Sequence, residues 1–393
     1  MGSGRDGAFR QQKAAALSEV LKIGYHAPPP GAPTGVADYA GTLLHALLSS
    51  QGGAFAIERD AASADIHLYH LGNNGLHADI YARAVATPGI VVVHDAVLHH
   101  FLLGALSPEQ YLGEFVYNYG EWSRPLGAEL WRERGASSVD PRYFKYPMLR
   151  RAVENARAVI VHNPGAAAMA RDHGAGNIHV IPHFFEPREI PDAACTERFR
   201  QRLGVAPGVT LFGIFGYLRE TKRLLPSIGA FRRLHAVCPA TALLIAGEVV
   251  SGDLGRLLGS EAPHPAIHRL DHLPDADFRI AAAAVDCCLN LRYPGAGETS
   301  GIGIRLMGIG KPVIVTEGAE TSGIPASAVL RVPPGADEAM TLFDQMALVA
   351  QFPVIARQLG AEAAGHIRAR HSLGNAVHMY WQVIESVSNL APD

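Results

Sequence analysis

From Leu21 onward the chain alternates two hydrophobic rhythms. Short, continuously apolar and β-branched runs at residues 21–25, 66–70, 90–94, 158–162 and 178–181 read as buried strands. Between the first two, Val36, Ala40, Leu43 and Leu47 recur at helical spacing. A strand, a loop rich in glycine and proline, and a helix, repeated, predict a parallel sheet wrapped by helices. A second series begins at 211–215, continues through a helix at 224–235, and adds strands at 242–246, 267–270, 287–291 and 313–315. The intervening stretch, 186–208, is polar and punctuated by Pro187, Pro191 and Pro207. After about residue 330 the pattern is helical to the C-terminus, with breaks near Pro353 and Gly374. No period of 20–50 residues recurs, which excludes a solenoid or propeller.

The expected fold is therefore α/β, with two Rossmann-like βαβ domains in succession. A polar tail spans 1–20, the first domain 21–190, a linker 191–207 and the second domain 208–372. A final helix within 373–393 is placed to cross back to the first domain.

Composition narrows the partners. The net charge of −3 over 393 residues gives no basic field for nucleic acid. Cys195, Cys238, Cys287 and Cys288 have neither zinc-site nor disulfide-framework spacing, and the adjacent pair in an apolar run reads as buried thiols in a reducing compartment. The first twenty residues lack the apolar core of a secretory signal, and no apolar run reaches the roughly 18 residues of a spanning helix. The expectation is a cytoplasmic protein, in peripheral contact with a membrane at most.

Open parallel sheets bind ligands outside the carboxyl ends of their strands, so the loops after strands hold the chemistry. Four stand out. The first, Pro28 to Gly35, ends in a glycine at a helix start, where backbone N–H groups suit a phosphate; a rigid turn is the plain alternative. The second carries His94, Asp95, His99 and His100. An imidazole at a strand end suits a sugar hydroxyl, or a purely structural hydrogen bond. The His94-to-His99 spacing matches no zinc signature, so no metal is expected. The third runs from Gly216 through Arg219, Lys222 and Arg223, cations at a helix start that either neutralise a diphosphate or form a solvated turn. The fourth, Arg292 to Gly301, sets a charged residue, small residues, Glu298, Thr299 and Ser300 ahead of a helix. Glu298 is placed to cap that helix or to accept from sugar hydroxyls, while amides of Thr299, Ser300 and Gly301 meet phosphate or sugar.

These loops, in this order, resemble the retaining GT-B glycosyltransferases grouped as family 4, over nearly the whole chain. The carriers are "RYPGAGETSG" (292–301) with "GKPVIV" (310–315), "FGYLRETKR" (215–223), "GVADY" (35–39) and "VVVHD" (91–95). The resemblance implies two Rossmann-like domains facing across a central cleft. It implies transfer of a hexosyl-type sugar from a UDP- or GDP-sugar to a glycan, lipid-linked or small-molecule acceptor, with retained anomeric configuration and with neither metal nor further cofactor. On it, Lys222, helped by Arg219 or Arg223, neutralises the diphosphate. Gly35 and Gly216 admit the donor, Glu298 holds the sugar, and His94 hydrogen-bonds it near the reacting centre.

Two positions depart from that pattern. Arg305 falls where the family has a second glutamate on the ribose, and arginine only donates hydrogen bonds. Tyr217 falls where the family has a further arginine. A catalytically silent nucleotide-sugar-binding or partner subunit is the rival reading. A nicotinamide dehydrogenase is disfavoured, since the only GxGxxG spans Gly2 to Gly7 with no strand before it. The arginines of 122–157 (Arg124, Arg132, Arg134, Arg142, Arg150, Arg151), interleaved with Tyr143, Phe144 and Tyr146, fit an anionic membrane surface. With Glu129, Glu133, Asp140 and Glu154 among them, they equally fit a solvated helical face.

Overall fold

A computed structural model describes residues 20–50, 55–61, 63–261 and 263–388. The polar tail, apart from Val20, and its GxGxxG lie outside the described residues.

The first sheet contains β1 (Leu21–His26), β2 (Phe55–Arg59), β3 (Ile66–Leu71), β4 (Ile90–Val93), β5 (Ala158–Val161) and β6 (Ile178–Val180). The second contains β7 (Thr210–Phe215), β8 (Thr241–Ala246), β9 (Ile267–Leu270), β10 (Cys287–Asn290), β11 (Val313–Thr316) and β12 (Leu330–Val332). All pairings are parallel, in the orders β2-β1-β3-β4-β5-β6 and β12-β11-β10-β7-β8-β9. Each half thus has one strand more than its hydrophobic pattern shows. The additions, β2 and β12, are edge strands with little buried surface, and lack the apolar run that central strands require.

Helices cover both faces of each sheet. Along β4 and β5 every residue is buried and alternate residues serve opposite cores: Val91, Val93, Val159 and Val161 on one side, Ile90, Val92, Ala158 and Ile160 on the other. The helix Leu373–Ser388 lies on the first sheet, burying Tyr380, Val383, Ile384 and Val387 in that domain's core. Its Tyr380 hydroxyl lies 3.1 Å from that of Tyr39, and Val387 O accepts from Arg157 at 2.8 Å. In the segment expected to link the halves, the helix Ala193–Arg202 inserts Phe199 into the second domain's core.

The chain crosses between halves twice, and the crossings are tied together. Phe185 N donates to His371 O at 2.6 Å, and His371 Nδ1 donates to His183 O at 2.7 Å. Sheet order reverses between β1 and β3 in the first half and between β7 and β10 in the second. These are the switch points at which open α/β sheets present crevices for ligands. Among the described residues, no single helix is long and apolar enough to cross a membrane.

Candidate active site

A cleft of about 980 Å³ separates the two sets of strand ends. The first domain lines it with Gly35, Asn73, His94, Asp95, His162 and His183, and the second with Gly216, Tyr217, Arg219, Lys222, Arg292, Glu298, Thr299, Gly301 and Arg305.

The loop after β7 is folded by glycine. Gly216 has φ +88°, and a Cβ there would lie 2.4 Å from Ile302 Cδ1 and 3.1 Å from Lys222 Nζ. Its carbonyl is backed by Gly247, whose Cβ would stand 1.9 Å away. This close packing turns Lys222 inward, where Nζ donates to Phe215 O. Burial, with Arg292 and Arg219 nearby, pushes the ammonium down to about 7. A cation so destabilised gains from an anion placed beside it. Arg219 lines the same cleft, but Arg223 does not. At φ +56° Arg223 closes the turn and donates from Nε to Glu338 Oε1 at 2.7 Å, with Nη2 on Oε2. Of the two arginines expected to assist Lys222, only Arg219 faces the cleft.

Arg292, to which sequence reasoning gave no role, takes the other side. It stands two residues past the end of β10 and donates from Nη1 to Glu298 Oε1 at 2.8 Å and from Nη2 to Ser300 Oγ at 3.3 Å. Glu298 Oε2 accepts from Ala296 N at 2.7 Å. Burial opposes ionisation of Glu298, yet the Arg292 guanidinium and backbone amides hold its carboxyl below the usual range. Ser300 is the N-cap of the helix Gly301–Gly308, its Oγ accepting from Gly303 N at 3.2 Å. That hydroxyl also donates to Asn290 Oδ1 and faces a smaller cavity of about 230 Å³ behind the loop. Ser300 therefore shapes the helix start from outside the main cleft, while Thr299 and Gly301 line it. Gly35 opens the helix Gly35–Ser50 with free space where a Cβ would stand, leaving its backbone open to the cleft.

The first domain supplies a chain of buried histidines. His162 Nδ1 donates to Ile181 O, which leaves Nε2 to accept from His94 Nδ1 at 3.3 Å; His94 Nε2 then accepts from His70 Nδ1 at 2.9 Å. One backbone carbonyl thus fixes three tautomers. Tyr39 packs against His94, His162 and His183. Burial, reinforced by neighbouring imidazoles, drives His94 and His70 well below their ordinary values, and His183 to about 3; burial takes His162 to about 4. His94 lines the cleft as expected, but with both ring nitrogens engaged; a hydrogen bond to a sugar requires exchanging one partner. Beside it, Asp95 Oδ2 accepts from Asn73 N at 2.9 Å, and burial with Glu298 opposite raises its carboxyl to about 6. Among the described residues, no group of three or more His, Cys, Asp or Glu side chains is arranged to hold a metal ion.

The two halves meet at the Glu298 loop itself. Ala296 O accepts from Ala96 N at 2.8 Å and from Val97 N at 3.0 Å. Gly297, at φ +74°, sits where a Cβ would be 2.6 Å from Ala96 Cβ.

Comparison with known proteins places this architecture. Sequence comparison finds no matching family model and no match among curated proteins. Solved structures do match. Sucrose-phosphate synthase from Thermosynechococcus elongatus superposes with a TM-score of 0.66 at 14% identity, covering 94% of this chain and 100% of that one. HepE from Anabaena, solved with UDP and glucose, gives 0.61 at 15% identity, covering 93% and 100%. WaaG, a glycosyltransferase involved in lipopolysaccharide biosynthesis, gives 0.60 at 14% identity, covering 94% and 100%. The fold is GT-B. In this GT-B chain the cleft between the halves carries the buried lysine, the Arg292–Glu298 pair and the histidine chain together.

Of the arginines that fit either a membrane surface or a solvated helical face, four are ion-paired to neighbouring carboxylates. Arg142 pairs with Glu129, Glu133 and Asp140, Arg150 with Glu154, Arg151 with Glu114, and Arg124 with Glu121.

Proposed function

We propose that this chain is a glycosyltransferase that moves a hexosyl-type sugar from a nucleoside-diphosphate sugar, UDP- or GDP-linked, to a glycan, lipid-linked or small-molecule acceptor. The observation that carries this reading is the desolvated Lys222 at the β7–β10 switch point, with Arg219 and Arg292 beside it and the start of the helix Gly301–Gly308 opposite. Three cations and a helix N-terminus gathered at one crevice suit a leaving diphosphate.

Transfer develops positive charge at the anomeric carbon and negative charge on the diphosphate. Lys222 and Arg219 stabilise the second, and Glu298, ionised and fixed by Arg292, orients the sugar hydroxyls. His94 and Asp95 close the sugar end from the first domain. The resemblance to family 4 supports retention, with a departing phosphate oxygen taking the acceptor's proton, so no side-chain nucleophile and no metal is invoked. The reaction is assigned to the cytoplasm, with peripheral membrane contact if the acceptor is lipid-linked.

The test is a product assay on the purified chain with UDP- and GDP-sugars. Release of the nucleoside diphosphate with formation of a glycoside or free sugar supports transfer. Tight nucleotide-sugar binding with no turnover over a broad acceptor panel points instead to the silent subunit.

A further inference from the structure

Strand order fixes the direction of a donor in the cleft. Adjacent strands lie about 4.8 Å apart, and the order β10-β7-β8-β9 puts the Glu298 loop on one side of Lys222 and the loops after β8 and β9 on the other. A diphosphate on Lys222 with its sugar at Glu298 therefore extends its nucleoside toward the end of β9. There the cleft is lined by His272, Asp275, Phe278 and Arg279, with Arg305 from the adjoining helix and Arg188 from the crossing segment.

Asp275 is the carboxylate at the centre of this group. It begins the helix Asp275–Ala284, where the dipole favours an anion. Its Oδ2 accepts from Arg188 Nη1 at 2.8 Å and has Arg279 Nε at 3.4 Å. Its Oδ1 has only Arg305 Nη1, at 3.8 Å, an ion-pair separation and not a hydrogen bond. Among the described residues, nothing hydrogen-bonds to Oδ1. One oxygen thus holds the Arg188 hydrogen bond and the Arg279 ion pair, and the other keeps free lone pairs, on a side chain 45% exposed.

We infer that Asp275 accepts hydrogen bonds from the ribose hydroxyls of the nucleotide, and that Arg305, Arg188 and Arg279 are positioning residues that aim its carboxylate. This rests on the reading that the cleft holds a nucleoside-diphosphate sugar. Arg305 then acts on the nucleotide through Asp275, an acceptor supplied by a different element from the one the sequence pattern points to.

Calorimetric titration of the full chain with UDP against 2′-deoxy-UDP, and GDP against 2′-deoxy-GDP, tests it. The unaltered protein is expected to prefer the ribo form roughly tenfold, as for loss of a hydrogen bond to a charged group. Asp275→Asn should bring the two forms within about twofold while the deoxy form binds as before. Because the ratio is taken within one protein, a general loss of affinity does not mimic this result. Should Asp275→Asn not fold, Arg305→Ala, which frees Oδ1 to turn, is expected to reduce the same ratio. A tenfold preference retained in whichever variant folds overturns the assignment. No preference in the unaltered protein overturns it and leaves the nucleotide site standing, whereas no binding of either diphosphate removes that site as well.

Discussion

Asn163 and Thr299 join the two domains at the Glu298 side of the cleft: the Asn163 amide donates to Thr299 Oγ1 at 3.0 Å and to Gly297 O at 2.9 Å. Asn163 is also the N-cap of the helix Pro164–Asp172, its Oδ1 accepting from Ala166 N at 2.8 Å. One side chain therefore starts a helix of the first domain and holds the loop that carries Glu298 in the second.

The two duties can be separated. Asn163→Asp keeps the cap, which aspartate serves as well as asparagine, but removes the donor. The expected outcome is a helix-retaining protein with turnover reduced at least tenfold and an increased radius of gyration in X-ray scattering. Unchanged scattering and unchanged turnover would show that the tie is incidental.

Lys222→Ala should fold and lose about two to three orders of magnitude in turnover, the range for removing one preorganised charge-stabilising donor. Because burial sets the free lysine near 7, an incoming diphosphate raises it and binding takes up a proton above that pH. Affinity for UDP or GDP should thus weaken as pH rises from about 7 to 9 in the unaltered protein, and stay flat in the variant. Titrations in buffers of differing ionisation enthalpy measure the proton directly.

The histidine chain predicts acid sensitivity. The folded protein keeps these imidazoles neutral, whereas the unfolded chain protonates them below about 6.5, so stability falls as pH drops from 7 toward the folded-state values of about 4 for His162 and 3 for His183. His162→Gln retains a donor for Ile181 O and an acceptor for His94 without titrating. Its loss of stability between pH 7 and pH 5, measured by urea unfolding, should be smaller by about 2 kcal/mol.

Gly247→Ala should be severe. A Cβ 1.9 Å from Gly216 O forces the loop after β7 away from β8. The expected cost is several kcal/mol of stability, and nucleotide-induced thermal stabilisation should vanish in whatever folds. A variant that melts and binds normally would mean the two loops move independently.

Much of this was legible along the chain, and the remainder was not for identifiable reasons. β4 and β5 announce themselves because both their faces are buried, so every residue is apolar; the charged FAIER of β2 and the three-residue LRV of β12 present no such run. Lys222, Glu298, Arg219 and His94 stand where strand ends predicted them. Arg223 does not, because the left-handed turn at that residue swings its side chain toward Glu338, 115 positions away. Arg292 was visible as a charge after a strand, but its partner Glu298 becomes its partner only once the loop folds back. His70 and His162 end apolar runs just as His94 does, but nothing in the sequence says that they meet it, and His183 carries no such signal. They meet because the carboxyl ends of neighbouring parallel strands lie side by side, and sequence spacing holds no record of that.

The return of the helix Leu373–Ser388 to the first sheet has a consequence for engineering. A fragment cut at the apparent boundary leaves Tyr39 and its neighbours without the Tyr380 cover they bury against. Grafting a different second half onto this first half therefore calls for two splice sites, near Phe185 and Ser372, with the C-terminal segment kept alongside its original host.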